Sequence, residues 1–329
     1  MTNRTKLTKR SRTAWSVVRK AGRGVLVMLL VTFALVVLMA GAPGSVAEVI
    51  LGQNATAANV AALNSELGLD KPVLQQYGDW LAHAVRGDLG TSPLTNQPVG
   101  GAIADRIPVT LELTLLAVLF ALLLAVVFAV LCAAWPGSLL DRALTAVSSV
   151  FLSVPAFIAG PVLIYFLSVR LGWFPVMGWT PIGQDLGTNL RSAVMPALSI
   201  ALVEVAAFHR LLRTDLITTL GEDFVNAARA RGMSPLYVMF RHAFRPSSLS
   251  LVTMVGLSIG RLVGATAVAE SLFSLPGLGQ LLISSIGTRD VIMVQGMVAF
   301  TGIVCVAVNT LADIGYGMVD PRVRRVAAA

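Results

Sequence analysis

Five ionisable residues lie inside long apolar stretches of this chain of 329 residues, and they are the first candidates for chemistry. They are Glu112, Glu204, Arg261, Glu270 and Asp313. Charges at membrane depth are costly, so such residues usually face a bundle interior or a water-filled cavity. Glu204 is nearest to the middle of its stretch and is the candidate to line a pathway; a structural ion pair with Arg261 is the open alternative. The other three acids lie near the ends of their stretches, where we expect them to reach the interface.

The sequence contains no motif typical of an enzyme. It has no GxxxxGK[ST] loop to hold ATP phosphates, no HExxH zinc motif and no GxSxG turn. The three histidines, His83, His209 and His242, sit on different segments and form no ligand cluster. Both cysteines, Cys132 and Cys305, fall inside apolar stretches, which excludes a disulfide framework. We therefore expect neither catalysis nor a bound metal or cofactor in this chain.

Composition indicates a polytopic, all-helical membrane protein. Hydrophobic residues make up 56% of the chain, charged residues only 13%, and the mean hydropathy is +0.78. A net charge of +8 could suggest nucleic acid as a partner. The basic residues are instead distributed as membrane topology predicts, so we expect lipids rather than nucleic acid around this chain.

The apolar runs predict six transmembrane helices. The first run covers residues 25–40. A cleaved signal peptide is the alternative for it, but an uncleaved first span keeps six spans and places both termini on one side. We place the five further spans near residues 110–134, 144–168, 193–213, 249–271 and 291–319. In the third span, Pro155 and Pro161 predict a kink. In the fifth, Gly256, Gly260 and Gly264 form a face of small residues that another helix could approach closely.

The distribution of basic residues predicts the orientation. With the N-terminus inside, the inner segments hold 18 basic residues and the outer segments hold six. The positive-inside rule then places both termini in the cytoplasm. The polar stretch 41–109 becomes an extracytoplasmic loop, in which residues 57–67 and 72–85 predict two short helices. Pro276 and its neighbouring glycines predict an outer turn between spans five and six.

A polar, arginine-bearing segment between the fourth and fifth spans predicts a helix–turn–helix. Gly221 ends the preceding helix, Gly232 suits a left-handed C-terminal cap, Ser234 an N-cap and Pro235 the first turn of the second helix. Five apolar residues at helical spacing predict one apolar face on that helix: Leu236, Met239, Phe240, Ala243 and Phe244. Two short helices are not stable alone in water, so the segment must dock on something. An amphipathic hairpin lying on the membrane surface is the alternative.

This segment resembles the EAA loop of ABC-importer permeases, which seats in a groove of the ATPase subunit. The resemblance is carried by NAARARG and RHAFRP, although Asn226 takes the place of the glutamate and Pro246 falls one residue late. The wider form, ARARGMSPLYVMFRHAFRP, is similar to the dipeptide/oligopeptide/nickel branch. The segments LGLDKPVLQQYGDWL, IADRIPVTLELTLLA, AESLFSLPGLGQ and VDPRVR resemble the same peptide permeases.

The resemblance implies a permease subunit of an ABC importer in the plasma (inner) membrane. It implies a basic N-terminus, first span and outer loop over 1–109, a five-helix permease domain over 110–319 with a coupling loop at 214–248, and a cytoplasmic tail at 320–329. The residues expected to dock on the ATPase are Phe224, Ala227, Ala228, Arg231 and Gly232. The expected partners are a second homologous permease, two ATPase subunits or domains that hold ATP and magnesium, and an extracytoplasmic substrate-binding protein. Dipeptides or oligopeptides are the expected substrate, with nickel chelates second. An ion-coupled secondary transporter is the alternative from another class, which one midplane acid and no visible internal duplication do not favour.

Overall fold

The computed structural model describes the backbone of residues 3–41 and 44–319, and the side chains of residues 22–41, 44–308 and 310. The described chain is built of helices, with an isolated antiparallel bridge between Thr91 and Pro98. In chain order the helices are α1 (Asn3–Gly41), α2 (Val46–Leu51), α3 (Ala57–Glu66), α4 (Val73–Ala84), α5 (Val99–Ala134), α6 (Leu139–Ser153), α7 (Ala156–Leu163), α8 (Leu186–Leu220), α9 (Asp223–Ala230), α10 (Pro235–Tyr237), α11 (Arg245–Leu272), α12 (Leu278–Gly287) and α13 (Val291–Val319). Two π-helical stretches extend α7 and α10, at Ile164–Arg170 and Val238–Phe244. The predicted tail at 320–329 lies outside the described residues.

Five of the described helical segments are long and apolar enough to cross a membrane. They cover Gly22–Gly41, Val99–Ala134, Leu186–Leu220, Pro235–Leu272 and Val291–Val308. A sixth crossing exists only if α6 and the α7 segment count as one span, because they meet at 109°. The predicted count of six spans is therefore reached only if this bent pair is counted as one span.

Pro155 causes that bend, which is sharper than the kink expected from sequence. Val154 before it adopts an extended conformation, with φ −100° and ψ 107°. The proline ring disfavours a helical conformation in the preceding residue, so α6 ends there. Pro161 lies inside α7, where the helix continues through it. One of the two prolines thus breaks the span and the other is tolerated.

The chain divides into two compact units, which do not follow the boundaries of the spans. Of the described residues, the first contains 3–41, 44–108 and 280–313. In it α1 packs against α4, where the Tyr77 hydroxyl donates to the carbonyl of Leu29 at 3.0 Å. Helices α3 and α4 confirm the two short helices predicted in the polar stretch, to within about a residue at each end. Asp290 is buried and accepts hydrogen bonds from the Ser92 hydroxyl and from the Met293 amide, at the start of α13.

Of the described residues, the second unit contains 109–279 and 314–319, and it is organised around α8. Helix α8 packs against α6, α7 and α11, and most residues of its apolar stretch are buried. A row of small residues at intervals of four lies buried on α5: Ala117, Ala121, Ala125, Ala129 and Ala133. Small side chains allow helix backbones to approach closely, as is common between membrane helices. The predicted fourth span, 193–213, is the middle part of α8, which is longer at both ends.

The connection from α11 into α12 differs from the simple outer turn that the sequence predicts. Phe273–Gly277 form the turn, in which Ser274 has φ +52°, and a short apolar helix, α12, follows. Its ten residues are too few to cross the hydrocarbon core. The sequence pattern missed α12 because a short apolar run next to glycine and proline has no helical periodicity long enough to recognise.

Candidate coupling hairpin and pathway residues

We call residues 221–246 the hairpin. The turn predicted between its two helices forms as expected. Gly232 follows α9 with φ +79°, and its amide donates to the carbonyl of Arg229 at 2.9 Å. Ser234 caps the next helix, since its hydroxyl accepts from the Tyr237 amide at 3.4 Å, and Pro235 occupies the first turn. These features confirm the helix stop and start signals read from the sequence.

The second helix of the hairpin does not end before the next span, contrary to the helix–turn–helix prediction. From Pro235 the chain runs through the π-helical stretch Val238–Phe244 and α11 to Leu272. Pro246 follows the junction between the π-helical stretch and α11, and the helix continues through it. The hairpin and the fifth span are therefore one continuous helical segment.

The predicted apolar face of that second helix is wrong. Met239 and Ala243 are buried against the core of the second unit, whereas Leu236 and Phe240 are exposed. A π-helix has a wider turn than an α-helix, so residues three apart no longer align, and the pairs four apart, Leu236/Phe240 and Met239/Ala243, lie on different faces. The exposed residues consequently form a separate surface.

The hairpin has an apolar interior of its own, which includes one of the predicted docking residues. Val225, Ala228 and Val238 are buried together, with Leu220 and Met233 partly buried against them. Ala228 therefore contacts its own chain. A large side chain at this position would disrupt the hairpin itself, whatever the hairpin binds.

The other predicted docking residues lie on the outer surface of the hairpin. Phe224, Ala227, Arg231 and Gly232 are all exposed. Three more apolar residues of the hairpin are exposed, Leu236, Tyr237 and Phe240; the sequence placed Leu236 and Phe240 on an apolar face, but none of the three was among the predicted docking residues. These three and Phe224 are the large apolar side chains that the hairpin exposes on a polar, arginine-bearing segment, and we refer to the four as its apolar patch. Such exposed apolar patches mark interaction sites.

Glu204 lies in α8 and is paired with Arg261 in α11, the structural alternative left open by the sequence. Nη2 of Arg261 is 3.2 Å from both carboxylate oxygens of Glu204. The Ser258 hydroxyl donates to Oε2 of Glu204 at 2.8 Å and accepts from Nη2 at 2.9 Å. The side chain of Glu204 is only 8% exposed, whereas that of Arg261 is 63% exposed. Of the two, Arg261 is the one that reaches open space.

Glu270 was expected at the interface, and the structure shows that this is wrong. It is fully buried, and its carboxylate accepts from the Thr110 hydroxyl and the Gly279 amide, both at 2.7 Å. A side chain on Gly277 would place Cβ 2.2 Å from the carboxyl carbon of Glu270, so only glycine fits there. Glu270 thus fixes the turn before α12 to α5. Glu112 is half-buried, and the side chain of Asp313 is outside the described residues.

A buried polar cluster at the end of α5 was missed altogether. Arg213 makes two parallel hydrogen bonds to Asp141, both 2.7 Å long. Nearby, His209 contacts the Ser148 hydroxyl at 2.9 Å and the Cys132 sulfur at 3.5 Å. Asp141 and Arg213 are 72 residues apart, so no local spacing indicates their pairing. Within the described residues, no group of His, Cys, Asp or Glu could hold a metal ion.

Comparison with known proteins identifies the family. Residues 125–325 match the family described as binding-protein-dependent transport system inner membrane component, and residues 15–114 match its N-terminal counterpart. A peptide transport system permease protein of Brucella abortus is 37% identical over 94% of this chain and 98% of its own length. A di/tripeptide transport system permease of Pseudomonas aeruginosa is 35% identical, over 90% of this chain and 93% of its own.

Other similarities extend the same result. A glutathione transport system permease of Escherichia coli is 32% identical, over 86% of this chain and 90% of its own. Among solved structures, a chain of the MetNI methionine ABC transporter has a TM-score of 0.53 at 20% identity, covering 67% of this chain and 96% of that one. That likeness concerns the fold alone. On the family match and the relatives of similar length, this chain belongs to the inner-membrane components of binding-protein-dependent transport systems.

Proposed function

We propose that this chain is the permease subunit of an ATP-driven importer of short peptides. The proposed substrate class rests on the relatives that match nearly the whole chain, because they are named for peptides, di- and tripeptides, and glutathione. Free-energy input then comes from ATP and magnesium on separate ATPase subunits, because this sequence has no phosphate-binding loop. A second permease subunit and an extracytoplasmic binding protein complete the proposed assembly.

The proposed coupling element is the exposed apolar patch of the hairpin, with Phe224, Leu236, Tyr237 and Phe240. Ala227, Arg231 and Gly232 are exposed on the same hairpin, and their small or flexible side chains permit a close partner surface. The hairpin packs on α8 and is continuous with α11. A displacement of the hairpin by the ATPase would therefore pass directly to the two helices that carry Glu204 and Arg261. Such coupling requires that nucleotide binds the two conformations with different affinity.

The proposed orientation follows from the basic residues. Both termini and the hairpin are assigned to the cytoplasm, and α2, α3 and α4 to the outside. The side chains of the basic N-terminal residues 1–21 and of the tail lie outside the described part of the chain. The sequence count of 18 inner against six outer basic residues supports this orientation.

The test is reconstitution of the permease pair with its ATPases and binding protein in vesicles. Uptake of labelled di- and tripeptides and peptide-stimulated ATP hydrolysis are expected. Uptake of a nickel chelate but not of peptides would overturn the substrate class and favour the second candidate. Uptake driven by an ion gradient without ATP would overturn the proposed importer class.

The docking surface is tested by replacing exposed residues, so that the fold is left intact. Phe224→Ala and Leu236→Ala are expected to weaken ATPase co-purification and to abolish peptide-stimulated hydrolysis. Leu139→Ala is the matched control, because Leu139 is also a highly exposed leucine on the side assigned to the cytoplasm, outside the hairpin. Normal ATPase binding by the double variant Phe224→Ala/Leu236→Ala would reject this patch and favour the membrane-surface hairpin.

A further inference from the structure

The exposed position of Arg261 is the feature that the proposed function leaves unexplained. Arg261 precedes the end of α11 at Leu272 by eleven residues, about 16 Å along the helix axis. That is about half the thickness of a hydrocarbon core of roughly 30 Å. A guanidinium at this depth is costly in lipid and faces a bundle interior or a water-filled cavity. The face of α11 that carries Arg261 must therefore meet water or polar groups.

The ion pair leaves part of this guanidinium available. Glu204 and Ser258 both contact Nη2 of Arg261. Among the described residues, Nε and Nη1 have no hydrogen-bond partner, and 63% of the side chain is exposed. Buried Glu204 thus holds one edge of the guanidinium and orients the opposite edge outward. Arginine presents its donors in a planar fork that matches a carboxylate.

The surface around Arg261 has room for a ligand. Leu257, Gly264 and Ala265 lie on the same face of α11 and are exposed. A Cβ atom built on Gly264 would meet no other atom within 4 Å, and the same holds at Gly256. At Gly256 and Gly264 the surface of α11 therefore has space beside the helix.

We propose that Arg261 lines the translocation pathway and binds the C-terminal carboxylate of the transported peptide, with Glu204 and Ser258 as its positioning residues. This inference rests on the proposed peptide importer. The carboxylate is the group that peptides share whatever their side chains, so one arginine serves substrates of varied sequence. Glu204 neutralises most of the positive charge, which keeps binding weak. A pathway site must bind well enough for entry and weakly enough for release.

The first test compares a tripeptide with its C-terminal amide in reconstituted vesicles. In the wild-type complex the free acid is expected to be taken up faster than the amide. Glu204→Gln/Arg261→Gln removes both charges together, so no buried charge is left unpaired. In this variant the acid-to-amide uptake ratio is expected to fall about tenfold, the effect of losing one charge-assisted hydrogen bond. Ser258→Ala is the matched control, which keeps the ion pair and is expected to lower the ratio less.

An unchanged ratio in an assembled double variant would overturn the inference and leave a purely structural pair. If the wild-type complex takes up neither the acid nor the amide, the proposed function fails instead. The binding protein is the same in both complexes, so its own preference cancels from the comparison of ratios.

A labelling experiment gives a result even if the double variant transports nothing. Glu204→Gln/Arg261→Cys is prepared with Cys132 and Cys305 replaced by alanine. In the assembled complex a charged thiol reagent is expected to label position 261 from water. Val252→Cys is the control, since Val252 is also exposed but lies on the opposite side of α11. If position 261 is labelled in the isolated permease but not in the complex, it contacts the second permease, and the pathway role is rejected.

Discussion

Gly232 offers the sharpest test of how the hairpin is built. It lies between α9 and α10 with φ +79°, and a Cβ atom there would meet no other atom within 4 Å. Gly232→Ala therefore creates no clash, and its cost comes from the left-handed backbone alone. That cost is about 1–2 kcal/mol for a residue with a Cβ atom. A change of this size raises the population of the opened hairpin by a factor of about 5–30.

Hydrogen exchange of the amides between residues 222 and 238 measures this directly in the purified permease. Gly232→Ala is expected to accelerate exchange there by about 5–30-fold, with no change in the membrane-spanning helices. Gly232→Asn is expected to fall between alanine and wild type, because asparagine tolerates the left-handed region better. Gly221→Ala is the control at the other end of α9, since Gly221 has φ −87° and its nearest Cβ contact would be 3.4 Å.

Equal exchange in Gly232→Ala and wild type would refute the reasoning, because the left-handed turn would then carry no strain energy. Equal acceleration in Gly221→Ala would refute it too, since a general loosening of α9 would then explain the result. ATPase co-purification of the same variants separates a loosened hairpin from a lost docking surface.

Three further predictions address topology and the buried polar groups. An impermeant thiol reagent applied to intact cells is expected to label Ser65→Cys, and labelling of Ser234→Cys from outside would overturn the orientation. Asp141→Asn removes one partner of a buried ion pair with Arg213, so a loss of about 3 kcal/mol in unfolding free energy is expected in a thermal or denaturant assay; an unchanged midpoint would contradict it. Glu270→Gln replaces one carboxylate oxygen by an amide nitrogen, which cannot accept from the Thr110 hydroxyl or the Gly279 amide. We expect the unfolding free energy to fall by about 1–3 kcal/mol and hydrogen exchange at residues 273–279 to accelerate. Wild-type exchange in that turn would show that the carboxylate does not hold it.

Local signals in the sequence were sufficient to predict several elements. Gly232, Ser234 and Pro235 mark the hairpin turn because caps depend on residues within one helical turn. Helices α3 and α4 were predictable for the same reason. Apolar run length predicted most of the spans, because the thickness of the membrane sets the length required. The residues that carry the family resemblance of the hairpin are likewise local, and the family itself is confirmed by the match over residues 125–325.

The remaining features depend on contacts between residues far apart in the chain, which no local pattern encodes. The rotation of α8 against α11 decided that Glu204 is buried beside Arg261, and that Arg261 is the exposed member. The burial of Ala228 depends on Val238, across the turn, and the bonds of Glu270 on Thr110, 160 residues away. The sequence by itself determined a helical membrane protein and the position of its hairpin, because hydropathy and capping act over a few residues. Only the tertiary structure decided which charges pair and which side chains remain exposed, because packing sets the rotation of each helix.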